Sequence, residues 1–143
     1  MSAEMIFLPV LVQIILTLIV YIVLGQSKEK ALERGDVDLS RRALHEDAWP
    51  ESVQKINNNI RNQFETPLLF YVLTILLWAL NGAGLLAQAV AWAYAISRVA
   101  HAVVHIGSNT VPVRKRLFQA SIVLLFILSG LVLVALTRSL LNY

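Results

Sequence analysis

Four apolar runs, each close to the length of a bilayer-crossing helix, fill most of this chain of 143 residues and restrict it to a membrane architecture. A helix needs about 20 mostly apolar residues to cross the hydrocarbon core. The runs fall at residues 5–24, 58–80, 85–106 and 116–137. The second is apolar only from Pro67 to Leu80, and its polar extension begins near Ile56. Apolar residues make up 57% of the sequence and mean hydropathy is +0.67, which excludes an ordinary soluble domain. The expected fold is all-α: a single membrane domain over residues 1–143, built as a four-transmembrane-helix bundle. The absence of cysteine excludes disulfides, thiolate metal ligands and a protein thiol nucleophile. The stretch before the first run carries Glu4 and no Lys or Arg, so that run is expected to be retained rather than cleaved as a signal peptide.

The connections set the topology. The first run is expected to stop at Gly25. Asn81-Gly82-Ala83-Gly84 reads as a tight turn, because Gly and Asn tolerate positive φ. Gly107 to Pro112 reads as a second short connection, broken by Pro112. The long connection is the loop 26–55, with charges of both signs and a Trp49-Pro50 break. Lys28, Lys30, Arg34, Arg41, Arg42 and Lys55 lie there, and Arg114, Lys115 and Arg116 lie between runs three and four. Arg138 alone lies on the other side. By the positive-inside rule both basic loops are cytoplasmic and both termini are outside. Topology thus accounts for the net charge of +3, and no basic patch with interleaved aromatics points to nucleic acid. Asp36, Asp38, Glu46 and Asp47 balance the long loop, which reads as solvated and partly helical; His45 has no evident partner in it.

Within the runs, Ala87, Ala89, Ala91, Ala93 and Ala95 allow close helix packing in lipid. Gln13, Thr17 and Tyr21 recur every four residues and mark a face for interhelical hydrogen bonds.

An ionisable group at membrane depth costs several kcal/mol by order of magnitude, so it faces protein, a partner or a cavity. Asn58, Asn62 and Glu65 share one helix face, and Arg61 stands four residues before Glu65. Arg98, His101 and His105 form a second stripe on the next run. Several chemistries fit. Glu65 accepting from Arg98 would be a buried ion pair that fixes register. His101 and His105 have i,i+4 spacing for a metal, with Glu65 as a third ligand, but Arg98 and Arg61 would repel a cation, and no metal is expected. A proton path through Glu65 and the histidines is a further option. The excess of arginine favours an anionic ligand, with Arg61, Arg98, Arg114, Lys115 and Arg116 converging on carboxylates; Arg114 to Arg116 also serve as headgroup anchors.

Arg61-Asn62-Gln63-Phe64-Glu65-Thr66-Pro67 resembles the R-N-x-x-E…P signature that opens the second span of the MAPEG proteins, membrane-associated proteins in eicosanoid and glutathione metabolism. Arg98-Val99-Ala100-His101, followed by Gly107, Pro112 and Arg114, is closest to the microsomal prostaglandin E synthase branch. The layout of the whole chain is similar to that family. The resemblance implies a homotrimer with glutathione as cosubstrate, bound between subunits near the cytoplasmic side. It implies that Arg61, Asn62, Glu65 and His101 hold the peptide and that Arg114 faces the sulfur as the catalytic residue. Arg98, His105 and Lys115 complete the expected binding set. Four positions depart from the pattern: Asn58 stands where an arginine is common, His105 and Phe118 where the branch has tyrosines, and Lys115 where it has serine.

Two functions follow. One is a glutathione-dependent transferase or peroxidase acting on lipophilic electrophiles, its thiolate stabilised by a cytoplasmic-side arginine. The other is a non-catalytic member that binds a lipid, an anion or a partner protein. The Arg61-Asn62-Glu65 set with Arg114 favours the first, and the missing tyrosines favour the second.

Overall fold

The computed structural model describes residues 2–141. After a short 3-10 turn, Ala3–Ile6, the chain forms α1 (Phe7–Arg34), α2 (Glu51–Gln63), α3 (Thr66–Ala79), α4 (Leu85–Ile106) and α5 (Val111–Leu141). Three helical segments are long and apolar enough to cross a membrane: Ala3–Arg34, Leu85–Ile106 and Val111–Leu141. Outward-facing Leu18, Ile22, Phe126 and Leu133 are exposed, as side chains facing lipid should be. The chain is an all-helical integral membrane protein.

Helix α1 does not stop at Gly25. A single glycine costs a helix only about 1 kcal/mol relative to alanine, and the good helix formers Lys28 to Arg34 follow it. The true stop is Gly35, at φ 73°, where the Gly35 and Asp36 amides donate to the Leu32 and Ala31 carbonyls. At 28 residues α1 is about 42 Å long, so it outruns the bilayer core by about two turns. The projecting part packs Leu24 and Ala31 against Val37, Val53, Ile56 and Ile60. The expected loop 26–55 is therefore shorter, because α1 extends into its beginning and α2 into its end.

What remains of the loop is ordered by its own polar contacts. Arg41 pairs with Asp47 at 2.8 Å, Ser40 donates from Oγ to Asp38 at 2.7 Å, and Lys28 lies 5.0 Å from the Trp49 ring centre. The Arg41 hydrogen bond holds the Asp47 carboxyl below its usual pKa, and the Ser40 hydroxyl does the same for Asp38. Both contributions are complete at neutral pH and are lost as pH falls through the lowered values.

The run 58–80 is not one helix. Pro67 has no N–H to offer the Gln63 carbonyl, and its ring would collide there. The chain turns at Phe64 and Glu65 (φ −96°, ψ −96°) and restarts at Thr66 with Pro67 in the first turn. The apolar part becomes the 14-residue α3, and the polar part becomes the separate α2. Pro112 acts differently from expectation for a related reason. It sits in the first turn of α5, where no N–H is needed, so α5 begins at Val111 and not near residue 116. Arg114, Lys115 and Arg116 therefore stand on helix rather than in a loop.

Helix α4 is the hub, packed against α1, α2 and α5, while α3 packs on α5. Ala87, Ala91 and Ala95 are buried at four-residue spacing; Ala89 and Ala93 point outward, because a helix cannot bury alternate residues. Phe70 stacks on Tyr94 at 4.4 Å within a core that also holds Ile6, Leu77 and Leu128. Of its expected polar face, Gln13 bonds Gln63 of α2, Thr17 donates to Gln13 O on its own helix and also meets the Tyr71 hydroxyl of α3, and Tyr21 meets Phe64 edge-on.

The turn between α3 and α4 depends on Gly82. A Cβ there would lie 2.7 Å from Ala135 Cβ, whereas one at Gly84 would meet nothing within 4 Å. Gly82→Ala is expected to cost about 1–3 kcal/mol through overpacking, read as a lowered unfolding temperature in detergent, with Gly84→Ala clearly milder. Equal losses at the two sites would contradict this packing.

Candidate functional site

Three helix segments meet at the end of the bundle that carries most of the basic residues. The last turns of α2 present Asn58, Arg61 and Asn62, and the break adds Glu65. Helix α4 presents His101 and His105 from one face. The first turns of α5 present Val111, Arg114, Lys115 and Phe118, whose spacing of three, four and seven puts them on one stripe. Between them lies an open cavity of about 570 Å³, within the 300–1,000 Å³ typical of small-molecule sites. A second hollow of about 620 Å³ shares Asn58, His105 and Arg114 with it.

Of the residues expected to form a site, Arg61, Asn62, Glu65, His101, His105, Arg114 and Lys115 line this cavity. Arg98 lies behind the wall with no exposed surface. Its partner differs from expectation. Helix α2 ends at the break, which frees its last carbonyls, and Arg98 Nη2 donates to the Asn62 carbonyl at 3.1 Å rather than to Glu65. The other guanidinium nitrogens, Nε and Nη1, have no partner among the described residues, and neither does buried His101 Nδ1. The two Arg98 nitrogens are donors, and they lie behind a cavity whose lining carries Arg61, Arg114 and Lys115 against one carboxylate, Glu65. The chemistry suits a ligand bearing carboxylates or another anion, and the unpaired nitrogens fit such a group.

Arg61 does not pair with Glu65 either, because the break removes the continuous helix face that an i,i+4 pair requires. It donates to Glu46, which reaches across from the loop and also accepts from Asn57 at 3.3 Å. Arg114 donates from Nη1 to Asn109 Oδ1 at 2.7 Å. Asn109, at φ 52°, belongs to the turn after α4, and Lys55 Nζ ties the same turn to α2 through the Gly107 carbonyl at 2.9 Å. Arg114 is thus held on one side and faces the cavity.

Sequence reasoning passed over Glu46 and Asn109 as site-shaping residues, and also Asn59 and Gln63. The first two act from irregular segments, where spacing gives no register. The other pair carried a usable signal: Asn59 and Gln63 are polar residues four apart, on the face of α2 next to that of Asn58 and Asn62. Both are buried.

Comparison with known proteins gives one match. The model of the MAPEG family covers residues 5–134, most of the chain. No curated protein and no solved structure matches it.

The Glu46 contact generates a prediction. The pair is about half exposed, so Glu46→Gln should change stability by no more than about 1 kcal/mol. It removes the carboxylate that competes for Arg61, and affinity for a dicarboxylate ligand, measured by calorimetry at low salt, should rise. Unchanged affinity would mean that Arg61 does not meet the anion.

Proposed function

The chain belongs to the MAPEG family, and we propose that it is a glutathione-dependent transferase or peroxidase acting on lipophilic electrophiles. The observation that carries this reading is one cavity gathering Arg61, Asn62, Glu65, His101, Arg114 and Lys115. Arg61 binds a carboxylate of the tripeptide and Glu65 its amino group, through charge-assisted hydrogen bonds. Asn62 and His101 supply further polar contacts, and Arg98 adds positive charge from beneath. Bound glutathione supplies a sulfur nucleophile to the electrophilic centre. Arg114, with Lys115 beside it, favours the thiolate over the thiol, whose free pKa is about 8.5. An apolar hollow of about 320 Å³ between α3 and α5, lined by Leu69, Leu73, Ile122 and Phe126, supports a lipophilic second substrate. Ile122 stands one turn beyond Phe118 on α5.

In this reading α2 and α3 together make the second of four spans, both basic connections are cytoplasmic, and the protein works as a homotrimer whose neighbouring copies close the open side of the cavity. The microsomal prostaglandin E synthase branch is the nearest pattern, on the strength of Arg98, His101, Gly107, Pro112 and Arg114. A second reading, a non-catalytic binder of lipids, anions or partner proteins, is favoured by His105 and Phe118 in the places of that branch's tyrosines.

Calorimetry and thiolate ultraviolet absorbance, on wild type and Arg114→Ala in mild detergent, separate the two. The enzyme reading expects glutathione to bind with a thiolate signal that Arg114→Ala removes, and turnover of a lipophilic electrophile to fall about a hundredfold or more. Absence of binding at physiological glutathione would move the assignment to the non-catalytic reading.

A further inference from the structure

Three side-chain amides lie buried between α1 and the cavity. Gln13 and Asn59 have no exposed surface, and Gln63 has 1%. Gln13 Nε2 donates to Gln63 Oε1 at 2.6 Å, and Gln63 Nε2 donates to Asn59 Oδ1 at 3.0 Å. Asn59 Nδ2 lies 3.2 Å from His105 Nδ1. An amide donates only through nitrogen and accepts only through oxygen, so the chain has a direction. In this direction the Gln13 oxygen is the end without a partner among the described residues. Run the other way, it would strand the Gln13 amino group with both its hydrogens, and orphaned N–H groups are rarer than under-satisfied carbonyl oxygens.

From this geometry we infer that Gln13, Gln63 and Asn59 are a positioning chain that fixes His105 as its neutral Nε2–H tautomer. The donor arriving at Nδ1 requires a lone pair there, which leaves the proton on the nitrogen available to whatever enters the cavity. His105 thereby presents a hydrogen-bond donor, and the cavity wall selects ligands that offer an acceptor, such as a carboxylate or carbonyl oxygen. The place of a phenol in the related branch is taken by an imidazole whose donor role is set from a helix three elements away. The selectivity half of this inference rests on the cavity being the glutathione site proposed above; the tautomer half does not.

The test is long-range nitrogen–proton NMR on histidine-labelled protein in detergent, with the His105 signals assigned by their loss in His105→Gln. Wild type should show a protonated Nε2 and an unprotonated Nδ1. Asn59→Asp offers His105 only acceptors and should move the proton to Nδ1. Gln63→Glu accepts from both neighbours, turns the Asn59 oxygen toward the ring and should do the same; it serves if Asn59→Asp does not fold. A purely structural role for the amides would leave the tautomer in place. A wild-type Nδ1–H tautomer, or no change in the folded variants, overturns the inference. Glutathione affinity should fall about tenfold in the switched variants, the effect of losing one hydrogen bond to a charged ligand. If wild type binds no glutathione yet shows the tautomer and its switch, the positioning chain stands and the glutathione reading fails.

Discussion

The interruption between α2 and α3 organises the rest of the molecule. A proline that cannot complete one backbone hydrogen bond makes the chain turn at Phe64 and Glu65. The carbonyl of Asn62 becomes an acceptor for a guanidinium from the central helix. Glu65 lines the cavity instead of continuing a helix face, and Arg61 lies within reach of the loop. An unbroken helix would have used these backbone groups internally and spread the side chains along a cylinder. The polar segment α2 instead packs on the projecting end of α1, where Val53, Ile56 and Ile60 meet Leu24 and Ala31.

Much of this was legible in the chain because helices repeat. Residues at three- and four-residue spacing share a face whatever surrounds them, so His101 and His105 could be placed together, as could Asn58 and Asn62; the start of α5, expected near residue 116, was not legible in this way. Partners were not legible on the same grounds. Arg61 lies 15 residues from Glu46, across an irregular loop, and no periodicity spans that distance. Gly25, Pro67 and Pro112 show a second limit. Each is a helix breaker by reputation, yet only Pro67 breaks one. Gly25 is outweighed by the helix formers after it, and Pro112 falls where a missing N–H costs nothing. Position within an element decides the effect, and position emerges only once the neighbouring helices are in place.

The loop and the bundle core carry different kinds of order. The core is shape: alanines on α4 admit close neighbours, and Phe70 stacks on Tyr94. The loop is held by exposed polar pairs such as Arg41–Asp47, each weak in water and screened by salt. Glu46 belongs to this weaker layer, so the group that occupies Arg61 is set on the more easily rearranged part of the fold.

Arg98 has a thermodynamic consequence of its own. A guanidinium keeps its charge at any physiological pH, and here it is fully enclosed with two nitrogens that have no partner among the described residues. Burial of an under-compensated charge subtracts from folding stability. An anion that supplies the missing field binds the folded chain and not the unfolded one, so occupancy and stability are linked: at a hundred times the dissociation constant the gain is about 2.7 kcal/mol. The bundle gives up some of its own stability to keep that charge in place, and under the proposed function an anionic ligand would return it.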